Sequence, residues 1–350
     1  MTVRVYTSGS LGAYGFPQGH PFGPDRLAAF WHEMQTRGLD RRVDIGEPRA
    51  CTRDDLVRFH TPAYVQFVQE RSEIGTGYLD AGEAADTTDF MTGRTSAASR
   101  ASVSSRGPRL VPIGDTPVFP GVYEAASTVV GTVLDGLDWL LREKGQRVFV
   151  PIAGLHHARR DGAAGFCVFN DIGCAIEYAR AVHGLKRIAY VDIDAHHGDG
   201  VFYSYDDDPN LFFADLHEDG RFLYPGTGRD TETGRGAAKG TKLNIPLPMG
   251  ADDEQFHRHW EAVETFVQKA KPSLIILQAG ADSVLGDPLT HMAFSPEVHR
   301  HAAQRLARLA DRCCDGHVLA LGGGGYNRAN LTNAWCGVVE GLLNTGDASG

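Results

Sequence analysis

Ten residues, Tyr190-Val-Asp-Ile-Asp-Ala-His-His-Gly-Asp199, close an apolar run that starts at Arg187 and end it in three carboxylates and two imidazoles. The run Arg187–Val191 reads as a buried strand. Asp194 and His196 are two positions apart, so on an extended chain both project to one side. A carboxylate oxygen and a neutral imidazole nitrogen on one side are what a divalent ion such as Zn²⁺ takes. Asp192 shares their parity and Asp199 lies just beyond in the turn. Both suit the task of accepting an imidazole's other N–H and orienting the ring. The competing reading is a solvated loop after a core strand, but five such groups at one strand end would repel one another or sit unpaired.

Other apolar runs end in chemistry of the same kind. Arg147–Ala153 leads into Gly-Leu-His156-His157, Leu274–Ala279 into Gly-Ala-Asp282, and Val318–Leu321 into four glycines, Tyr326 and Asn327. Asp194, His196 and Asp282 together offer a metal three protein ligands and leave a position for water and substrate. Two carboxylates leave such a centre nearly neutral, so bound water is acidified less than by three imidazoles and a separate base is needed. His156 and His157 can supply it if Asp192 and Asp199 tune them. Tyr326, on a glycine-only turn, can donate to a developing oxyanion opposite the metal. Taken singly the pieces are weak. A His-His pair is more often surface or core than catalytic, and the Gly₄ turn lacks the Lys-Ser/Thr of a phosphate loop. His257 and His259 lie in a polar helical stretch and read as solvated. His217, two residues after Asp215, is placed near the site but not as a ligand.

The elements that must carry these groups alternate. Runs at Arg147–Ala153, Arg187–Val191, Leu211–Asp215, Leu274–Ala279 and Val318–Leu321 read as buried parallel strands. Between some of them lie helical patterns. Tyr123–Arg142 lines up Ala126, Val130, Val133, Leu137 and Leu141, and a helix opening at Ser295-Pro296-Glu297 runs to about Cys314. Such alternation predicts a parallel sheet covered on both faces, with ligands beyond the strands' carboxyl ends. The 350 residues are read as a single domain, 1–350, interrupted by a Ser/Arg-rich loop at 92–109. With 34 Lys and Arg against 44 Asp and Glu, the net charge of −10 argues against nonspecific nucleic-acid binding. Six cysteines without a CxxC pair read as reduced thiols of a cytoplasmic protein. No apolar run is long enough to span a membrane, and the first residues lack the apolar core of a signal peptide.

The motifs Leu155-His-His-Ala158, Gly165-Phe-Cys-Val-Phe-Asn-Asp171, Asp192-Ile-Asp-Ala-His-His-Gly-Asp-Gly200, Tyr224-Pro-Gly-Thr-Gly228, Gly280-Ala-Asp-Ser-Val-Leu-Gly-Asp-Pro288 and Gly322-Gly-Gly-Gly-Tyr-Asn327 occur in this order. Together they resemble the zinc-dependent histone deacetylase superfamily, including bacterial acetoin-utilisation proteins and acetylpolyamine amidohydrolases, from about His20 to Leu343. The resemblance implies an arginase/deacetylase-like three-layer αβα fold with a mainly parallel sheet of about eight strands. It implies one Zn²⁺ on Asp194, His196 and Asp282, with the native choice between Zn²⁺ and Fe²⁺ open. His156 would pair with Asp192, His157 with Asp199, and Tyr326 would polarise the amide carbonyl. Gly165, Phe166 and Tyr224 would line a narrow tunnel for an acyl-lysine stem, Asp115 would hold the substrate backbone, and Leu289 would sit at the rim. Structural potassium would use Asp192, Asp194, His196, Asp215 and Leu216, with Asp215 standing where many relatives have serine. A second potassium would lie near Tyr205, Asp208 and Leu211.

The expected reaction is removal of acetyl or other acyl groups from lysine side chains by metal-activated water. The expected partner is an acylated lysine peptide or protein, or a small acylated amine such as an acetylpolyamine. No nucleic acid or membrane is expected, and self-association is left open. A binuclear ureohydrolase would want a second Asp-x-Asp where Ala281-Asp282-Ser283 stands. A non-enzymatic acyl-lysine binder would not need both Tyr326 and a complete ligand set.

Overall fold

The computed structural model describes residues 2–17, 19–80, 114–142 and 146–344. The inserted loop at 92–109 lies outside the described residues. All five apolar runs read as strands form strands: β3 (Arg147–Val150), β4 (Ile188–Asp192), β5 (Leu211–Glu218), β7 (Leu274–Gln278) and β8 (Val318–Leu321). Three more complete the sheet, namely β1 (Val3–Tyr6), β2 (Asp44–Gly46) and β6 (Lys242–Leu247). The strand order is β2-β1-β3-β8-β7-β4-β5-β6, and every pairing is parallel. The residues of β3, β4, β7 and β8 are all buried, as strands covered on both faces must be.

Among the described residues, seven helices of more than ten residues flank the sheet. They are α1 (Arg26–Thr36), α2 (Pro62–Ile74), α3 (Val122–Arg142), α4 (Asp171–His183), α5 (Asp253–Ala270), α6 (Pro296–Cys313) and α7 (Arg328–Leu343). α3 buries Ala126, Val130, Val133 and Leu137 as its periodicity demands, and also Val129, Leu134 and Leu140. α6 starts where its sequence places the cap. Ser295 Oγ accepts the Glu297 N–H at 3.3 Å, and Pro296 occupies the first turn, where its missing N–H costs nothing.

The order of the strands positions the site. The four strands that end in polar clusters, β3, β8, β7 and β4, are consecutive at the centre of the sheet. Because all are parallel, their carboxyl ends open on the same edge, and their four loops meet there.

Candidate active site

Asp194 and His196 reach the site by a route other than strand parity. β4 ends at Asp192, and the chain then curls, so that the successive N–H groups of Asp194, Ala195 and His196 donate to the carboxylates of Asp192 (3.0 Å), Asp282 (2.9 Å) and Asp194 (3.0 Å). The two-residue spacing is real, but a turn stitched by carboxylates does the aiming, not an extended chain.

His196 Nδ1 lies 3.1 Å from Asp194 Oδ1 and 3.1 Å from Asp282 Oδ2. The three ligand atoms fall within 4.8 Å of one another, and all three residues are buried. Burial and the Asp194 charge push the Asp282 carboxyl up. Burial opposes charge on Asp194 as well, but the imidazoles of His156 and His196 hold it well below the usual carboxylate range. Two buried carboxylates and one imidazole facing a common point are a donor set for a divalent cation. The backbone keeps close to this point through glycine. A Cβ on Gly280 would sit 2.0 Å from Asp194 Oδ2, and one on Gly324 2.1 Å from Asp282 Oδ2.

The two histidines that follow β3 stand beside the ligands, each braced as expected. His156 Nδ1 bonds Asp192 Oδ2 at 2.8 Å and His157 Nδ1 bonds Asp199 Oδ1 at 2.7 Å, while their Nε2 atoms face each other at 3.1 Å. Their surroundings separate them. Burial disfavours charge on His156, but the Asp192 and Asp194 carboxylates outweigh it and raise the ring to about 9. Burial and the His156 charge hold His157 down at about 4, against the pull of Asp199. Asp199 opens a short helix, Asp199–Ser204, rather than lying in a turn.

Tyr326 lines the same cavity as Asp194, His196, His156 and His157. Burial, with Asp282 and Asp194 nearby, pushes its phenol upward, so it stays a donor. Its ring meets Phe166 edge-on at 5.7 Å. Tyr224 stands 5.1 Å from the His157 ring and 6.4 Å from that of His196. Phe166 has φ +66°, a left-handed conformation unusual for a bulky residue, and Gly165 before it has φ +54° and no room for a side chain, since a Cβ there would sit 2.4 Å from the His157 ring. The strain is held by Thr116 Oγ1, which accepts the Phe166 N–H at 3.2 Å, and by Tyr14, whose hydroxyl donates to the Phe166 carbonyl at 2.8 Å. Thr116 Oγ1 in turn donates to Asp115 Oδ1 at 3.0 Å, tying the rim aspartate to the cavity wall. Leu289 is at the surface, 38% exposed, and Asp287 just before it accepts the Tyr326 N–H at 2.8 Å.

Of the residues read as potassium ligands, Asp192 and Asp215 are fully buried and face the β4 turn, with Asp215 Oδ2 accepting the Gly198 N–H at 2.9 Å. No N–H among the described residues donates to the backbone oxygens of Asp194 or His196. Asp215 also holds His217, whose Nδ1 lies 2.7 Å from Asp215 Oδ1 and whose Nε2 lies 2.9 Å from the Gly228 carbonyl oxygen. His217 is therefore a buried support and not a metal ligand.

Sequence reasoning missed several supports. Gln278, the last residue of β7, donates to Asp194 Oδ2 at 2.8 Å and accepts the Gly280 N–H at 2.7 Å. Asp171 receives the N–H groups of Gly154 and Leu155 and so fixes the approach to His156. Arg26, fully buried, donates to the carbonyls of Gly325 (3.1 Å) and Gly323 (2.6 Å), and Asp80 accepts the N–H groups of Asp115 (2.9 Å) and Thr116 (3.1 Å). Gln278 and Asp171 sit inside or beside the motifs and could have been found. Arg26 and Asp80 carry no local signal.

A braced histidine pair, an Asp-His-Asp cluster that could hold a metal ion and a half-buried tyrosine meet at the carboxyl edge of an eight-stranded parallel αβα sheet, and the family is shown by the sequence: the histone deacetylase domain matches residues 20–342, so the chain belongs to the histone deacetylase family. Among curated relatives it is similar to the acetoin utilization protein AcuC of Bacillus subtilis, 35% identical over 327 residues, covering 93% of this chain and 78% of the relative. It is also similar to histone deacetylase RPD3 of Saccharomyces cerevisiae, 30% identical over 343 residues, covering 98% and 72%. The structure superposes on the HD domain of HDA15 with a TM-score of 0.81 at 25% identity, covering 99% of this chain and 91% of the other. The family supports hydrolytic deacetylase activity. No described helix is long and apolar enough to cross a membrane.

Proposed function

We propose that the protein is a zinc-dependent amidohydrolase that removes acyl groups from lysine side chains. The observation that carries this reading is the meeting of His196 Nδ1 with both Asp194 and Asp282 beside two aspartate-braced histidines and a half-buried tyrosine. Zn²⁺ on Asp194, His196 and Asp282 would supply a Lewis acid for the amide carbonyl and acidify the attacking water. His157 takes the water proton at Nε2 while Asp199 holds its Nδ1–H, a role that suits the ring less prone to carry charge. His156, charged against Asp192, stabilises negative charge as it develops, and either ring can return a proton to the leaving amine. Tyr326 donates its phenolic hydrogen to the carbonyl oxygen as that oxygen becomes an oxyanion. Phe166 and Tyr224 flank an uncharged alkyl stem, and Asp115 accepts backbone N–H groups on either side of the lysine. Monovalent potassium at Asp192, Asp194, His196, Asp215 and Leu216 would brace the β4 turn. The single domain is proposed to act in the cytoplasm.

Acylated polyamines form the second reading, favoured by one observation: Asp80 adds a carboxylate next to Asp115 at the rim. Leu289 speaks against it, because it offers a distal ammonium no counter-charge. The deciding experiment compares kcat/KM for an acetyl-lysine peptide with that for acetylputrescine and acetylspermidine, using protein of measured metal content. The lysine peptide should be preferred. A tenfold preference for the polyamine would replace the substrate assignment, and full activity after complete metal removal would overturn the mechanism.

A further inference from the structure

Lys242 opens β6 with only 2% of its surface exposed, a rare position for a lysine. Its Nζ donates to three oxygens, the backbone carbonyls of Asp208 (3.0 Å) and Leu211 (2.7 Å) and the hydroxyl of Thr241 (2.8 Å). An ammonium has three hydrogens, so all are used and none of the three oxygens is left bare. Asp208 and Leu211 bound the turn that carries the chain from the short helix headed by Asp199 into β5, the strand of Asp215. Three oxygen acceptors around Nζ are the partners of an ammonium, with its three N–H donors and no acceptor.

The turn's carboxylates already have cationic partners, and Arg235 pairs with Asp206 at 2.6 Å. Arg180 pairs with the Asp208 carboxylate at 2.6 Å, and the guanidiniums of Arg160 and Arg180 lie 5.2 and 5.7 Å from the Tyr205 ring centre. This is also where the family resemblance places a second potassium, near Tyr205, Asp208 and Leu211. Such an ion would need the carbonyl oxygens that Lys242 already occupies, and would sit against an ammonium in a poorly solvated pocket. The residues present do not fit it.

We propose that Lys242 is a tethered monovalent cation that takes the carbonyl cage of the second potassium, so that this chain binds no potassium between Asp208 and Leu211. The ion's bridging task, holding the 205–211 turn against the neighbouring strand, is then done by a side chain fixed to that strand. The arrangement costs no ion-binding equilibrium and does not vary with salt.

Crystals of the metal-loaded protein soaked in Rb⁺ test this by anomalous scattering. The expected result is no Rb⁺ against the Asp208 and Leu211 oxygens in the wild type. In Lys242→Ala, Rb⁺ should appear there, and replacing choline chloride by KCl at constant ionic strength should raise Tm by about 2–4 °C more than in the wild type. Rb⁺ at those oxygens in the wild type overturns the proposal. A folded Lys242→Ala that gains neither ion nor potassium dependence also overturns it, because the ammonium would then replace nothing. Should the variant not fold, the wild-type soak decides alone. None of these readouts depends on catalytic activity, so they are separate from the proposed reaction.

Discussion

Tyr326 brings a single hydroxyl to the site, and the proposed reaction uses it only once the carbonyl oxygen has gained charge. Tyr326→Phe should therefore lower kcat by about 10²–10³ while KM, bound metal and Tm stay near wild type. A kcat within a few-fold of wild type, at equal metal content, removes the residue from the mechanism. Asp115 allows a prediction with a definite sign. Burial and the adjacent Asp80 carboxylate push its carboxyl up to about 7. The protonated form is a weaker acceptor for substrate N–H groups, so KM for a lysine peptide should rise as pH falls through about 7. Asp80→Asn removes the like charge, lowers the Asp115 pKa and should move that rise to more acidic pH. Thr116, which donates to Asp115, and His20, whose Nε2 lies 3.3 Å from the Asp115 carbonyl oxygen, are present in both proteins. Identical KM–pH profiles would clear Asp80 of any role.

At the scale of elements, the turns after β7 and β8 do their work by being thin. Gly324 approaches so closely that an added Cβ would meet Asp282 Oδ2 at 2.1 Å and Asp194 Oδ2 at 3.0 Å. Gly324→Ala should leave the far-ultraviolet circular dichroism unchanged and cut bound metal well below one ion per chain. Retention of a full equivalent would mean that the turn can yield without moving the ligands. The same scale shows what could be read from sequence. β3, β4, β7 and β8 were legible because each is an unbroken apolar run that stops abruptly at polar residues, the pattern of a strand buried on both faces. β6, Lys-Leu-Asn-Ile-Pro-Leu, was not, because as an edge strand it tolerates a proline and interleaves polar residues. β2, at the other edge, has three residues, one of them the exposed Ile45. The cluster of Asp194, His196 and Asp282 and the braced histidine pair were legible in the sequence, although the turn that aims Asp194 and His196 was not, since it reads there as extended chain. Arg26 was illegible, because a lone arginine in an amphipathic helix says nothing of two glycine carbonyls near the other end of the chain.

Across the whole molecule, the site concentrates a cost that the rest of the fold must carry. Asp194 and Asp282 face one another with almost no exposure, and a divalent ion between them would relieve that repulsion. An ion bound only by the folded state stabilises it by about 4 kcal/mol at a free concentration a thousand times its Kd. Chelation should therefore lower Tm by several degrees, Zn²⁺ should restore it, and Asp282→Asn should blunt both changes. A Tm indifferent to chelation in protein shown by elemental analysis to have lost its metal would contradict this.

The strand order has a consequence in time. β8 lies between β3 and β7, with Arg147 paired to Val318 and Ile275 to the same residue. On a ribosome, the middle of the sheet stays absent until β8, the last of the eight strands in sequence, has been made. The halves on either side have no seam to close along until then, and pairings so distant in sequence are slow to form. A nascent chain therefore exposes the pairing edges of β3 and β7 until β8 arrives, and only then can the histidine pair after β3 and Tyr326 after β8 join the Asp194, His196 and Asp282 cluster, whose strands β4 and β7 pair directly. In refolding from denaturant, recovery of hydrolytic activity should track the final phase, the one in which β8 inserts, and no earlier signal.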